Sequence, residues 1–183
     1  MAPSPDPNSV WRLKPGHPDF TGPVADDVND LDRLDAFDGT PIGAWEPMPA
    51  HWDMTDPGRP IPDVTSMVVP ALAERGLEVL GELIEGHAQT LPLQIDEGPA
   101  AWLLNITTLS DALDEEASEI KRFRDGRFMK PARYVFDPER LEGLTIFKLR
   151  QQPMSTVLVT GTLVRRIRDA GLTGGDLTQV WTP

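Results

Sequence analysis

The sequence predicts an α+β chain: a single domain with a largely antiparallel sheet, two principal helices and a proline-rich, loop-rich N-terminal third. Three observations lead there. Apolar and β-branched runs of strand length recur at residues 91–95, 101–109, 144–149, 156–159 and 177–181. Only two stretches carry a long helical period, and their alternation with the strands is too irregular for a doubly wound sheet. Twelve of the 19 prolines fall in the first 63 residues, where no long periodic run occurs.

That front segment, residues 1–63, holds 12 acidic residues against four basic ones, whereas residues 64–183 carry 17 against 13. We read it as loops with short edge strands that wrap an α+β core formed by residues 64–183. Its first eight residues are expected to be mobile. The large apolar groups Trp11, Phe20, Phe37, Trp45 and Trp52 argue against disorder throughout. Leu31, Leu34 and Phe37 recur every three residues, which predicts a short amphipathic helix, and residues 42–45 read as a short strand.

Residues 66–69 look like the end of a strand, and Pro70 is a favourable first helical position. From there Leu72, Val79, Leu80, Leu83 and Ile84 form one stripe, Glu74, Glu78, Glu82 and Glu85 face elsewhere, and Gly86 stops the helix. Gly76 and Gly81 inside it each weaken it by about 1 kcal/mol relative to alanine. His87, just past the stop, is expected to cap it. The run 101–109 places Trp102, Leu104 and Ile106 on one face of a buried strand. An acidic knot of Asp111, Asp114, Glu115 and Glu116 follows, ending at Ser118. Residues 119–124 and 127–136 then form a hairpin about a two-residue Asp125-Gly126 turn, which sets Phe123 opposite Phe128. Asp137-Pro138 breaks that strand. Thr160 is an expected N-cap for a last helix with Leu163, Val164 and Ile167 inward, Arg165, Arg166 and Arg168 outward and Gly171 at its end.

At 183 residues the chain can bury roughly 70% of its unfolded surface and fold unaided. Absence of cysteine removes disulfides and thiolate zinc sites and suits a reducing compartment. The opening MAPSPDPNSVWRLKPG has no apolar core for a signal peptide, and no run is long enough to span a membrane, so a cytoplasmic location is expected. The formal charge of −12 disfavours nucleic acid and favours solubility or a basic protein partner.

Chemistry-bearing patterns are sparse. His17, His51 and His87 lie far apart, without metal-ligand spacing, and no nucleophile elbow, phosphate loop or dinucleotide fingerprint occurs. Thr173-Gly174-Gly175 lacks the lysine of a phosphate cradle and reads as a turn. No catalytic, metal or cofactor site is assigned. Asp26, Asp27, Asp30, Asp32, Asp35 and Asp38 crowd thirteen positions. An EF-hand loop would need Gly at its sixth position and Glu at its twelfth, so a solvated or partner-facing acidic surface is the reading. Lys121, Arg122, Arg124, Arg127, Lys130 and Arg133 form a basic ribbon with Phe123, Phe128 and Tyr134. Nucleic acid could touch such a ribbon. Protection of an exposed edge, and pairing with the adjacent acidic knot, is the stronger reading.

Three segments carry a family resemblance: AWLLNITTLSDALDEEASEI, RFMKPARYVFDPERLEGLTIFKL and LVTGTLVRRIRDAGLTGGDLTQVW. Together they resemble a bacterial immunity-protein family, formerly a domain of unknown function and typified by a myxobacterial immunity protein. Leu113, Asp114 and Ser118 match its Leu-Asp-x-x-x-Ser element, Ile146, Phe147 and Leu149 its Ile-Phe-x-Leu strand, and residues 171–174 its Gly-Leu-Thr-Gly turn. The likeness spans roughly residues 90–182. It implies a non-enzymatic protein that binds and neutralises a cognate toxin domain of a polymorphic or contact-dependent secretion system, without cofactor, nucleic acid or membrane. The partner-binding candidates are Asp26, Asp27, Asp30, Asp32, Asp35, Asp38, Asp114, Glu115 and Glu116. The rival readings are an adaptor or chaperone for a secreted effector, and a hydrolase with an unrecognised carboxylate site.

Overall fold

The computed structural model describes residues 4–14 and 16–183. In chain order the elements are β1 (Val10–Lys14), β2 (Pro23–Ala25), a 3₁₀ helix (Val28–Ala36), β3 (Met48–Trp52), β4 (Val64–Met67), β5 (Val69–Ala73), α1 (Glu74–Ile84), β6 (Ala88–Ile95) and β7 (Ala101–Ile106). They continue with β8 (Leu109–Ser110), β9 (Glu119–Arg122), β10 (Phe128–Arg133), α2 (Pro138–Leu141), β11 (Ile146–Leu149), β12 (Val157–Thr160), α3 (Gly161–Asp169) and β13 (Asp176–Trp181).

Two mixed sheets and a separate hairpin organise these strands. One sheet runs β2-β3-β6-β7-β5-β4, the other β13-β1-β12-β11-β8, and β9 pairs with β10. The α+β class is as expected. The sheets are mixed and not simply antiparallel, because β3 pairs parallel with β6 and β11 parallel with β8. Nor do two helices account for the helical content, since the 3₁₀ helix and the single-turn α2 accompany α1 and α3.

β7 is buried on both faces, which is why its sequence reads as a nearly continuous apolar run. Leu104 and Ile106 face a core shared with α1, α3 and the second sheet, while Ala101 and Leu103 face Met48, Trp52, Leu34 and Phe37. A third core, around Phe136, Phe147, Leu149 and Leu158, fills the other side of the second sheet under the 111–144 segment.

Several expectations are corrected by the pairing. Pro70 lies in β5 opposite Ser66, and α1 starts only at Glu74, so Leu72 belongs to a strand. Proline is tolerated there because β7 pairs with β5 only from Ala71 to Ala73, so Pro70, near the strand start, lies outside that ladder. Residues 42–45 form no strand. The Gln89 side-chain amide instead bonds both main-chain groups of Ile42, and the strand comes later, at β3. Of the front strands, the short β2 is an edge strand as expected, whereas β1 and β3 are inner strands. Residues 101–109 serve two sheets: Thr107 and Thr108 donate to the His87 carbonyl at the bend, and Leu109 joins β11. His87 contributes its main-chain N–H to the Ile84 carbonyl, but its ring bonds Thr108 Oγ1 at 3.0 Å and caps no helix. Thr160 is the N-cap residue of α3, yet its hydroxyl donates to the Leu144 carbonyl.

The hairpin turn has three residues. Phe123 N–H donates to the Arg127 carbonyl, Gly126 alone has positive φ (85°), and Arg122, not Phe123, pairs with Phe128. A type I turn completed by one left-handed glycine matches strand twist as well as the expected two-residue turn and shifts the register by one. Of the eight residues expected to be mobile, 1–3 lie outside the described residues. Residues 4–8 do not float free: Pro5 is buried, its carbonyl accepts from Arg165, and the Asp6 carbonyl accepts from Ser9.

Candidate partner-binding furrow

Three depressions run into one another along the 154–157 segment, which lines all of them in part. The first, about 430 Å³, is walled by Leu31, Asp32, Asp35, Val68, Lys148 and Met154 among others. The second, about 270 Å³, shares Val68, Pro70, Met154 and Val157 with it. The third, about 680 Å³, shares Arg12, Ser155 and Thr156 with the second and extends to Lys121, Lys130 and Arg133. The result is one furrow, acidic at one end and basic at the other.

Its middle is apolar and open. Val68 is 70% exposed and Met154 57%. Val68 alone joins β4 to β5, because Met67 pairs with Val69, and it has φ 64°. A β-branched residue in the left-handed region is strained by about 1–3 kcal/mol. An exposed apolar residue held in that conformation is the kind of local conflict that clusters at binding sites.

Lys148 forms the floor. β11 is buried along its length, and Lys148 shares the face of Ile146, so its stem enters the interior while its ammonium reaches across to donate to the Phe37 carbonyl at 2.5 Å. Only 5% of the residue is exposed. Burial pushes this ammonium below the usual lysine range, and the nearby Asp38 carboxylate partly offsets that. Between the folded and unfolded pKa the unfolded chain therefore binds the extra proton, so stability rises with pH there. Urea unfolding from about pH 8 to 10.5 tests this: the stability of the wild type relative to Lys148→Met should climb with pH, since the variant lacks the titrating group. A flat difference would show the ammonium to be solvated.

The structure sorts the candidate carboxylates. Asp26 bonds the His51 ring at 2.6 Å, Asp27 caps the 3₁₀ helix through Asn29 N–H, and Asp30 lies 3.6 Å from Arg33. Asp38 accepts from Thr40 N–H, chief among the bonds that hold its carboxyl below the usual range. Asp32 and Asp35, both exposed, have no intramolecular partner among the described residues, and both line the furrow. In the second cluster Asp114 accepts from Glu116 and Ala117 N–H, and Glu115 binds Arg122 at 3.0 Å and Gln151 at 2.8 Å. Glu116 is exposed, and none of the three lines the furrow. The pairing of knot and hairpin expected from sequence is therefore seen at Glu115–Arg122.

Sequence reasoning missed Val68, Met154, Lys148 and Arg12. Only Lys148 carried a signal, a lysine at an inward position of an otherwise apolar strand. Among the described residues no group of three or more His, Asp or Glu side chains could hold a metal ion. The furrow contains no histidine. No helix of the described residues is long and apolar enough to cross a membrane.

The motifs behind the family likeness lie in the core and in turns, and none of their residues lines this furrow. Asp114 and Ser118 hold the turn into the hairpin, Ser118 bonding both main-chain groups of Val135. Ile146, Phe147 and Leu149 are buried. Gly171, with φ 60°, ends α3, and Thr173 then docks on Asp63 and Val64. Residues 93–182, just under half of the chain, match the model of the Immunity protein family (Imm11). No curated protein matches the sequence.

Proposed function

Because residues 93–182 carry the immunity-protein pattern, we propose that this chain is an immunity protein that binds and neutralises a cognate bacterial toxin of a polymorphic or contact-dependent secretion system. It acts by occupation of the toxin surface and not by chemistry, in the cytoplasm of the producing cell. The observation that carries the reading is that family match; the furrow, which joins Asp32 and Asp35, without partners among the described residues, to the exposed anchors Val68 and Met154, is the surface assigned to the toxin. Apolar anchors at the centre of an interface set residence time, while charges at its rim steer encounter. A basic toxin face would meet the Asp32–Asp35 end.

Co-expression with the toxic domain encoded beside this gene, scored by survival and then co-purification, tests the proposal. Rescue with a stable complex is expected. The Asp32→Lys/Asp35→Lys pair should slow association and weaken the complex about tenfold or more, with the loss shrinking at high salt. Val68→Asn keeps a residue that tolerates the left-handed conformation but removes the anchor, and should raise Kd about 10–100-fold through faster dissociation. Asp26→Asn, whose carboxylate is engaged with His51, is the control. Neither rescue nor complex would reject immunity for that toxin. Assembly with a secretion component instead would favour the adaptor reading.

A further inference from the structure

The basic end of the furrow runs against the charge of the whole chain. No carboxylate lines it, although the protein carries a formal −12. Arg12 is rooted in β1, an inner strand, which fixes its position. Lys121 and Lys130 are directly paired across the hairpin and so stand side by side. Among the described residues none of these three makes an ion pair, and the Arg12 Nε is secluded from solvent without a hydrogen-bond acceptor. Arg133 is already engaged, by Glu119 at 3.0 Å and by the Ala117 carbonyl. Three cations that line one cleft repel one another unless an anion joins them.

We propose that this cleft receives an extended carboxylate-bearing segment of a protein partner, with Arg12 taking a carboxylate in two-point fashion and Lys121 and Lys130 flanking it. A guanidinium matches the plane of a carboxylate, whereas lysines act as adaptable point charges. Met129, Pro131 and Val180 wall the same cleft and suit the aliphatic stems of glutamate side chains. Recognition is by side chains and not by strand addition, since Pro131 deprives β10 of a main-chain donor. A nucleic acid fits poorly. Tyr134 is stacked on Phe136 with ring centroids 5.8 Å apart, which withholds a face from a base, and the net acidic surface outside the cleft repels a long polyanion. The furrow as a whole then demands a partner whose basic and acidic patches lie a fixed distance apart, a device for specificity and orientation.

The test uses the full chain and a short fluorescein-labelled glutamate-rich peptide, followed by anisotropy. Binding is expected at low salt, weakened several-fold between about 50 and 200 mM salt. Lys121→Gln/Lys130→Gln and, separately, Arg12→Met should each weaken it about tenfold. Arg166→Gln, on the exposed face of α3, should leave it unchanged. Absence of binding at low salt, or equal loss in Arg166→Gln, overturns the proposal, as does tighter binding of a single-stranded oligonucleotide of equal charge. No toxin enters this titration, so its failure and that of the immunity reading are separable.

Discussion

The Gly161→Ala variant is expected to lose about 3–4 kcal/mol of stability, from forced overpacking and broken main-chain hydrogen bonds. A Cβ on Gly161 would lie far inside contact with the Asp6 carbonyl oxygen, 2.6 Å from Ser9 Oγ and 2.8 Å from the Asp6 carbonyl carbon. None of these atoms can yield cheaply. Gly161 N–H donates to the Ser9 carbonyl at 2.7 Å, Ser9 Oγ donates to the Asp6 carbonyl at 2.5 Å, and the Trp11 indole N–H donates to Ser9 Oγ at 2.9 Å. Moving the 5–9 turn therefore loosens the entry to β1, the inner strand that carries Arg12. At about 2–4 °C per kcal/mol for a chain of this size, the melting temperature should fall by roughly 10 °C. Thr162→Ala, at the exposed next position, should change it little. A wild-type melting temperature for Gly161→Ala would mean that the 5–9 turn is not seated on α3.

Elements whose pattern arises from their own burial were legible in the chain. β7, β11, β12 and the inward stripe of α3 follow from apolar spacing alone, and Gly86 and Gly171 mark helix ends by their left-handed conformations. Failures came where a long-range partner overrode a local signal. Pro70 favours a helix start, but pairing with Ser66 and burial of Leu72 beside Trp102 hold it in a sheet. Met48–Trp52 contains a proline and a histidine and looks like a connection, yet it is a strand because β6 offers it a parallel edge. Within the candidate site, charge density alone pointed at nine carboxylates. The structure engages most of them in caps, turns and ion pairs and leaves Asp32, Asp35 and Glu116 without partners among the described residues. Such commitments depend on which N–H or guanidinium comes near, and that is a property of the fold. Val68 and Met154 are single exposed apolar residues, which have no periodicity to read.

The two internal glycines of α1 give the sharpest contrast between local preference and tertiary fit. Helix propensity says that alanine at either position should stabilise the protein by about 0.5–1 kcal/mol. For Gly81→Ala that gain is expected, since a Cβ there would meet only Leu77 Cδ1 at 3.8 Å. For Gly76→Ala the sign should reverse, with a loss of about 2–4 kcal/mol from main-chain overlap. A Cβ on Gly76 would drive into the Asp63 carbonyl, with the carbonyl carbon at 3.0 Å. That carbonyl accepts from Ala73 N–H, and the Asp63 carboxylate accepts from Arg75 at 2.8 Å and from Thr173 N–H at 2.7 Å. Arg75 also donates to the Ala170 carbonyl at 2.7 Å, so the same knot closes the C-terminal end of α3. Asp63 thus ties α1, α3 and the Gly-Leu-Thr-Gly turn together at the seam of the two sheets, and the absent side chain at position 76 is what lets it approach. Urea unfolding of the two variants side by side measures the effect: midpoints displaced in opposite directions support this seam, and two upward shifts would show that α1 stands free of Asp63.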